Sequence, residues 1–272
     1  MMMEVSKISF ILLLVAWSGQ GNAEGLGSKS GGQEPETRIV GGKDAPEGLV
    51  PHQAALYTKA YNVFFCGAAI ISNRWLLTAA HCALSRKPSE LIALVGTLSR
   101  RKGGTTYEIS KVFAHKEHNE LNGFNNDIAV ISTKKAIEFN KKVQPLPLPT
   151  EDIKSGLSCI LSGWGDNNYD RDVRNYTPFD LQYLYVKTLS SNDCNKWFRR
   201  RRSSITISSN QMCTLNKIKE GTCQGDGGGS LVCNGTSAGI VSYNWPCALG
   251  IPDVYTNTFM YIPWIEENTK SP

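Results

Sequence analysis

The chain has 272 residues, 41% of them hydrophobic and 19% charged. That balance suits one large globular domain or two closely packed halves. The net charge of +5 is modest, and no basic helix or basic–aromatic pattern accompanies it, which argues against a nucleic-acid partner.

Residues 1–23 read as a secretory signal peptide. Lys7 supplies the leading positive charge, Ile8 to Trp17 form an apolar run interrupted only by Ser9, and Gly21-Asn22-Ala23 offers small residues for signal peptidase. As a helix that run rises about 15 Å, half of a bilayer core. No later stretch is long enough to span, so an exported, extracellular chain without a membrane anchor is expected. Residues 24–38 are rich in Gly, Ser, Glu and Pro and lack apolar periodicity and cysteine. They read as a flexible pro-segment ending at Arg38.

From Ile39 onward, short β-rich runs alternate with turn residues. Examples are Ala68–Ile71, Leu91–Val95, Thr106–Phe113, Ile128–Ser132, Ser158–Ser162, Leu181–Thr188, Leu231–Cys233 and Gly239–Tyr243. Lys102-Gly103-Gly104 and Asn167-Asn168 are among the turn signals between them. This spacing predicts an all-β barrel or sandwich. At the end, Tyr261, Ile262, Trp264 and Ile265 with Glu266 and Glu267 predict a short amphipathic helix.

Eight cysteines in an exported chain predict four disulfides, with about 105 pairings open. Zinc is the competing use, but there is no C-x-x-C pair and no H-E-x-x-H. Arg199-Arg200-Arg201-Arg202 reads first as a solvated loop, second as a site for a heparin-like polyanion, and third as a site for a processing protease. Asn234-Gly235-Thr236 is an N-glycosylation sequon, and Asn175-Tyr176-Thr177 is another, weakened by Pro178.

Four patterns occur in one order: Arg38-Ile39-Val40-Gly41-Gly42, Leu77-Thr78-Ala79-Ala80-His81-Cys82, Asn126-Asp127-Ile128-Ala129-Val130, and Cys223-Gln224-Gly225-Asp226-Gly227-Gly228-Gly229-Ser230-Leu231-Val232-Cys233. Ser162-Gly163-Trp164-Gly165 sits between the last two. Residues 39–272 thereby resemble the chymotrypsin/trypsin family of serine proteases. The resemblance implies two six-stranded antiparallel β-barrels, near 39–147 and 148–258, with the site in the cleft between them. It also implies the pairs Cys66–Cys82, Cys159–Cys233, Cys194–Cys213 and Cys223–Cys247. A monomer without a cofactor is expected.

By the same resemblance, His81 is the general base and Asp127 the carboxylate that orients it. The backbone N–H groups of Gly225 and Gly227 form the oxyanion hole. A trypsin-like protease cuts after Arg38, and the new amino group of Ile39 pairs with Asp226. Gly221, Ser242, Asn244 and Asp253 line the substrate pocket. There, Asn244 and Asp253 stand where the family has glycine, and Gly221 where trypsin-like enzymes carry aspartate. The resemblance leaves two readings of Asp253 open: it makes a narrowed acidic pocket that tolerates Lys or Arg or is self-filled, or it pairs with a nearby basic residue.

The nucleophile is where the pattern breaks. Gly227 occupies the position of the family's serine and has no Oγ. Ser230 lies three residues on, about 10 Å away in extended chain. Removing the serine from a comparable triad costs about 10⁶ in turnover, or about 8 kcal/mol of transition-state stabilisation. Four glycines in five positions also predict looser geometry for the oxyanion hole. The expected function is therefore a non-catalytic homologue that holds a protease, an inhibitor or a substrate segment. An active serine endopeptidase is the alternative, if glycine at 227 is an error or a deliberate substitution. A digestive protein is a third.

Overall fold

The computed structural model describes residues 39–84, 86–166, 178–244 and 246–270. The signal peptide, the pro-segment with Arg38 and the Asn175 sequon lie outside the described residues.

A short first strand, β1 (Lys43–Asp44), precedes six that close on themselves: β2 (Gln53–Thr58), β3 (Val63–Ile70), β4 (Trp75–Thr78), β5 (Leu91–Val95), β6 (Thr105–Ala114) and β7 (Ala129–Thr133). Their order around the barrel is β2-β3-β4-β7-β6-β5. The second half supplies β8 (Ser158–Gly163), β9 (Gln182–Leu189), β10 (Gln211–Thr214), β11 (Ser230–Cys233), β12 (Thr236–Tyr243) and β13 (Asp253–Asn257). These run β9-β10-β13-β12-β11-β8, and a β8–β9 pairing closes the ring. The fold is thus two closed six-stranded antiparallel barrels. Closure removes the exposed strand edges that an open sheet of this size would present.

Each strand's burial follows from where its two faces look. In β6 buried and exposed residues alternate over Thr106–Lys111, the mark of a strand with one wet face. In β2 both faces are dry. Ala54 and Leu56 join the first barrel's core, whereas Ala55 and Tyr57 pack with Trp164 and Leu181 from the second half. The tight turn between β11 and β12 is Asn234-Gly235, both with positive φ (50° and 75°). That is the Asn-Gly pair favoured in two-residue hairpins.

Two crossings tie the barrels together. β1, although it precedes the first barrel, pairs with β9 of the second. At the other end, Tyr261 and Ile265 pack into the first barrel's core. Ile265 lies on the terminal helix that the amphipathic pattern predicted. Of the three α-helices among the described residues, α1 (Ala80–Ala83), α2 (Ser191–Arg200) and α3 (Ile262–Thr269), neither the single turn α1 nor the longer α2 was expected. The arginine run read as a loop begins as its last turn. Ser190 caps it by accepting from the Asp193 N–H at 3.2 Å, and Cys194 and Phe198, four apart, bury its inner face. Arg199 and Arg200 sit where the helix dipole favours cations.

Four disulfides join Cys66–Cys82, Cys159–Cys233, Cys194–Cys213 and Cys223–Cys247, the pairs the resemblance implied. The halves also touch backbone to backbone. The Gly67 N–H donates to the Gly227 carbonyl at 2.8 Å across the seam, and within the second half the Gly228 N–H donates to the Val241 carbonyl at 2.8 Å. Gly228 has φ +77°, and a Cβ there would collide with Thr78 Oγ1 and the Gly67 carbonyl. Gly228→Ala is therefore expected to cost about 3 kcal/mol or more, read as a lowered midpoint in chemical denaturation. A change below about 0.5 kcal/mol would show that this contact does not lock the barrels.

Candidate active site

Asp127 is the centre of the site. It sits two residues before β7 and is fully buried. Its Oδ1 accepts from the His81 backbone N–H at 2.9 Å, and its Oδ2 from His81 Nδ1 at 2.8 Å and from Ser242 Oγ at 2.6 Å. Its backbone carbonyl accepts from Thr256 Oγ1 at 2.7 Å. Burial pushes the carboxyl's pKa up. The hydrogen bond from His81, its charge and the Ser242 bond outweigh that and hold Asp127 below its ordinary value. An ionised Asp127 makes Nδ1 of His81 the donor. The neutral imidazole then offers a lone pair at Nε2, as a general base requires.

Nε2 faces Gly227. A Cβ built at Gly227 would lie 2.6 Å from it, so the imidazole stands in space that a side chain would need. Ser230, meanwhile, is fully buried, with its hydroxyl 3.2 Å from that of Ser237. The sulfurs of Cys66 and Cys82 approach Nε2 to 4.0 and 3.4 Å. Both are spent in their disulfide, so neither is a thiolate for a metal.

Gly225 and Gly227 line a cleft of about 570 Å³ together with His81, Phe124, Gln224 and Ser242. Neither backbone N–H has a partner among the described residues, which leaves two donors free to meet an oxyanion. The glycine-rich segment is pinned at both ends. Asp226 donates to the Cys223 carbonyl and Gly229 to the Asp226 carbonyl, each at 3.1 Å. Backbone bonds offset the freedom that glycine adds.

Asp226 is buried beneath this segment. Its carboxylate accepts from the N–H groups of Gly165 and Cys223, both at 2.9 Å. It has no cationic partner among the described residues. Burial, with a smaller push from Asp166, raises its pKa to about 7 against those two bonds. Ile39 is fully buried in the second barrel's core, and the Val40 carbonyl accepts from the Gly221 N–H at 3.1 Å.

The pocket residues form a chain of contacts. Asp253 Oδ2 accepts from the Thr222 N–H at 2.9 Å and lies 2.7 Å from where a Cβ of Gly221 would be. It occupies the space a side chain at 221 would fill. Asn244 Nδ2 then donates to Thr222 Oγ1 at 2.6 Å. Asn244 and Cys223 line the cleft, whereas Gly221 and Asp253 do not. Asp253 has no basic partner among the described residues.

The Trypsin family profile matches residues 39–265. Chymotrypsin-2 of Vespa crabro is 36% identical over 231 residues, covering 85% of this chain and 99% of the relative. Trypsin I-P1 of Gallus gallus is 38% identical over 242 residues, covering 88% and 92%. Serine protease 1 of Rattus norvegicus is 34% identical, covering 86% and 91%.

The chain belongs to the trypsin family.

Within this trypsin-family site, two residues escaped the sequence reading. His118 is buried. Its Nδ1 donates to the Asn125 carbonyl at 3.2 Å and lies 3.8 Å from Asp127 Oδ1, so a second histidine flanks the central carboxylate. Phe124 stacks on Tyr243 at 5.1 Å and meets His81 edge-on at 6.4 Å. It does so with φ +55°, a strained conformation for a bulky residue. Nothing in the Gly123-Phe124-Asn125 stretch of sequence places its ring.

Asp253 gives a pH prediction. Its pKa is raised by burial to about 7, against the hydrogen bonds from Thr222. Between about pH 4 and 7 the folded chain then keeps a proton that the unfolded chain has released. Stability from this group is full below pH 4 and falls as pH rises through 7. Asp253→Asn keeps a carbonyl for the Thr222 N–H and removes the titration. Thermal melts across that range should show the wild type losing about 2–4 kcal/mol relative to the variant. Parallel curves would mean that Asp253 is ionised throughout.

Proposed function

We propose that this trypsin-family chain is an exported, non-catalytic homologue that binds polypeptide in its cleft without cleaving it. It would act as a regulator or cofactor in an extracellular protease cascade. The observation that carries the reading is Gly227 opposite His81 Nε2, where a Cβ alone would come within 2.6 Å. Base, orienting carboxylate and oxyanion donors are assembled, and the attacking oxygen is missing. What remains is a groove that recognises a peptide and cannot form an acyl-enzyme.

The rest of the reading follows the family pattern. The chain acts as a monomer after a trypsin-like protease cuts behind Arg38. The Ile39 amino group then supplies the cation that buried Asp226 lacks, since a buried carboxylate is stable only when paired. The turn asparagine Asn234 is exposed and open to glycosylation, and Asn175 is the second such site. The pocket is self-filled. The Asn244–Thr222 bond closes it above Asp253, so that benzamidine binds only once Asn244→Gly reopens it. Equal benzamidine affinity with and without that substitution would refute the closure.

A second reading, an active endopeptidase, draws support from the intact His81–Asp127–Ser242 network and from relatives that carry the names trypsin and chymotrypsin. The two readings part when the Arg38-cleaved protein is mixed with a polypeptide inhibitor of trypsin-like enzymes that presents an extended loop. The binding reading expects a complex from which the inhibitor is recovered uncut after long incubation. Absence of a complex at micromolar concentrations would contradict cleft binding. Steady cleavage of a peptide substrate would favour the endopeptidase.

A further inference from the structure

A second groove, of about 450 Å³, lies on the second barrel and shares no lining residue with the cleft. Its walls are α2 on one side and the loops around Ile218 and Leu249 on the other. The two loops are tied together, since the Lys219 N–H donates to the Ala248 carbonyl at 2.7 Å. Trp197 and Phe198, edge-on at 5.2 Å, form part of the apolar lining.

Two properties of the groove coincide. The first is apolar exposure. Ile218 is 62% exposed, Leu249 42% and Ile205 41%, on three separate segments that converge here. Scattered apolar side chains are ordinary, but a convergent set marks a binding surface. The second is uncompensated positive charge. Arg201 stacks on the Trp197 ring at 3.8 Å. Arg199, Arg200 and Arg202 have no acidic partner among the described residues. The nearby acids are engaged, Asp193 by Lys196 at 2.9 Å and Glu220 by Lys217 at 3.0 Å. Arg201 lines the groove, and Arg200 lines the adjoining hollow that shares Trp197 and Arg201, so the C-terminal end of α2 presents cations to whatever enters.

We propose that this groove docks an acidic polypeptide segment bearing apolar side chains, contributed by a second protein. Charge complementarity selects an acidic partner. The exposed isoleucines and leucine select a polypeptide over a sulfated glycan, which has no apolar side chains to bury against them. Because the groove and the cleft are lined by different residues, a partner held here leaves the cleft accessible.

The test uses the full chain at about 150 mM salt, where long-range charge effects are largely screened. The probes are a short fluorescent peptide of glutamates interspersed with leucines, an all-glutamate peptide of the same length, and heparin. The leucine-bearing peptide should bind at least about tenfold more tightly than the all-glutamate one. Arg200→Glu with Arg201→Glu should abolish binding of both peptides. Ile218→Ser with Leu249→Ser should erase only the tenfold advantage and leave heparin affinity unchanged, which also reports an intact fold. Equal affinity for the two peptides, binding of heparin alone, or an advantage that survives Ile218→Ser with Leu249→Ser would overturn the proposal.

Discussion

The site and the packing of the barrels meet at one buried carboxylate. Asp127 comes from the first barrel. Ser242 and Thr256, which donate to its side chain and its backbone, come from the second. The same carboxylate holds the backbone and the ring of His81. An unpaired carboxylate in this position would be costly to bury. Supplied with these donors, it stays ionised, aligns the imidazole and ties the two halves at their seam. Asp226 and Asp253 form a contrast in the same domain. Each accepts backbone N–H groups but has no cation among the described residues, and burial raises the pKa of both. One buried acid is electrostatically satisfied, and two others hold protons near neutrality.

Much of the fold was legible because its signals are local. Short β-branched runs broken by turn residues such as Gly103-Gly104 specify strands and tight turns whatever packs against them. The resemblance supplied what local pattern does not: barrel closure, the cysteine pairs and the partnership of His81 with Asp127. α2 was missed for a physical reason. Four consecutive arginines dominate the reading of charge, whereas the helix rests on a serine cap and on the four-residue spacing of Cys194 and Phe198. Both signals were present in the sequence, and both are quieter than the charge.

The site was legible in its residues and less so in their roles. Ser242, expected as pocket wall, also holds Asp127 across a separation of 115 residues. Asn244 was expected to intrude on the pocket, but that it would bond Thr222 depends on how close two loops approach. His118 and Phe124 lie on a loop whose sequence motif ends before their positions are set. In each case the deciding partner lies across a seam that no linear pattern describes. Gly227 is the reverse case. Its place in the motif was plain from the sequence, and the geometry adds that the His81 ring stands too close for a side chain to enter without displacing it.

The central claim is the absence of an attacking oxygen beside an assembled base. It is tested most directly by exposing the Arg38-cleaved natural chain to a labelled fluorophosphonate, in parallel with Gly227→Ser. The account predicts no labelling of the natural chain and stoichiometric labelling of the serine variant at residue 227. Stoichiometric, heat-stable labelling of the natural chain would contradict it.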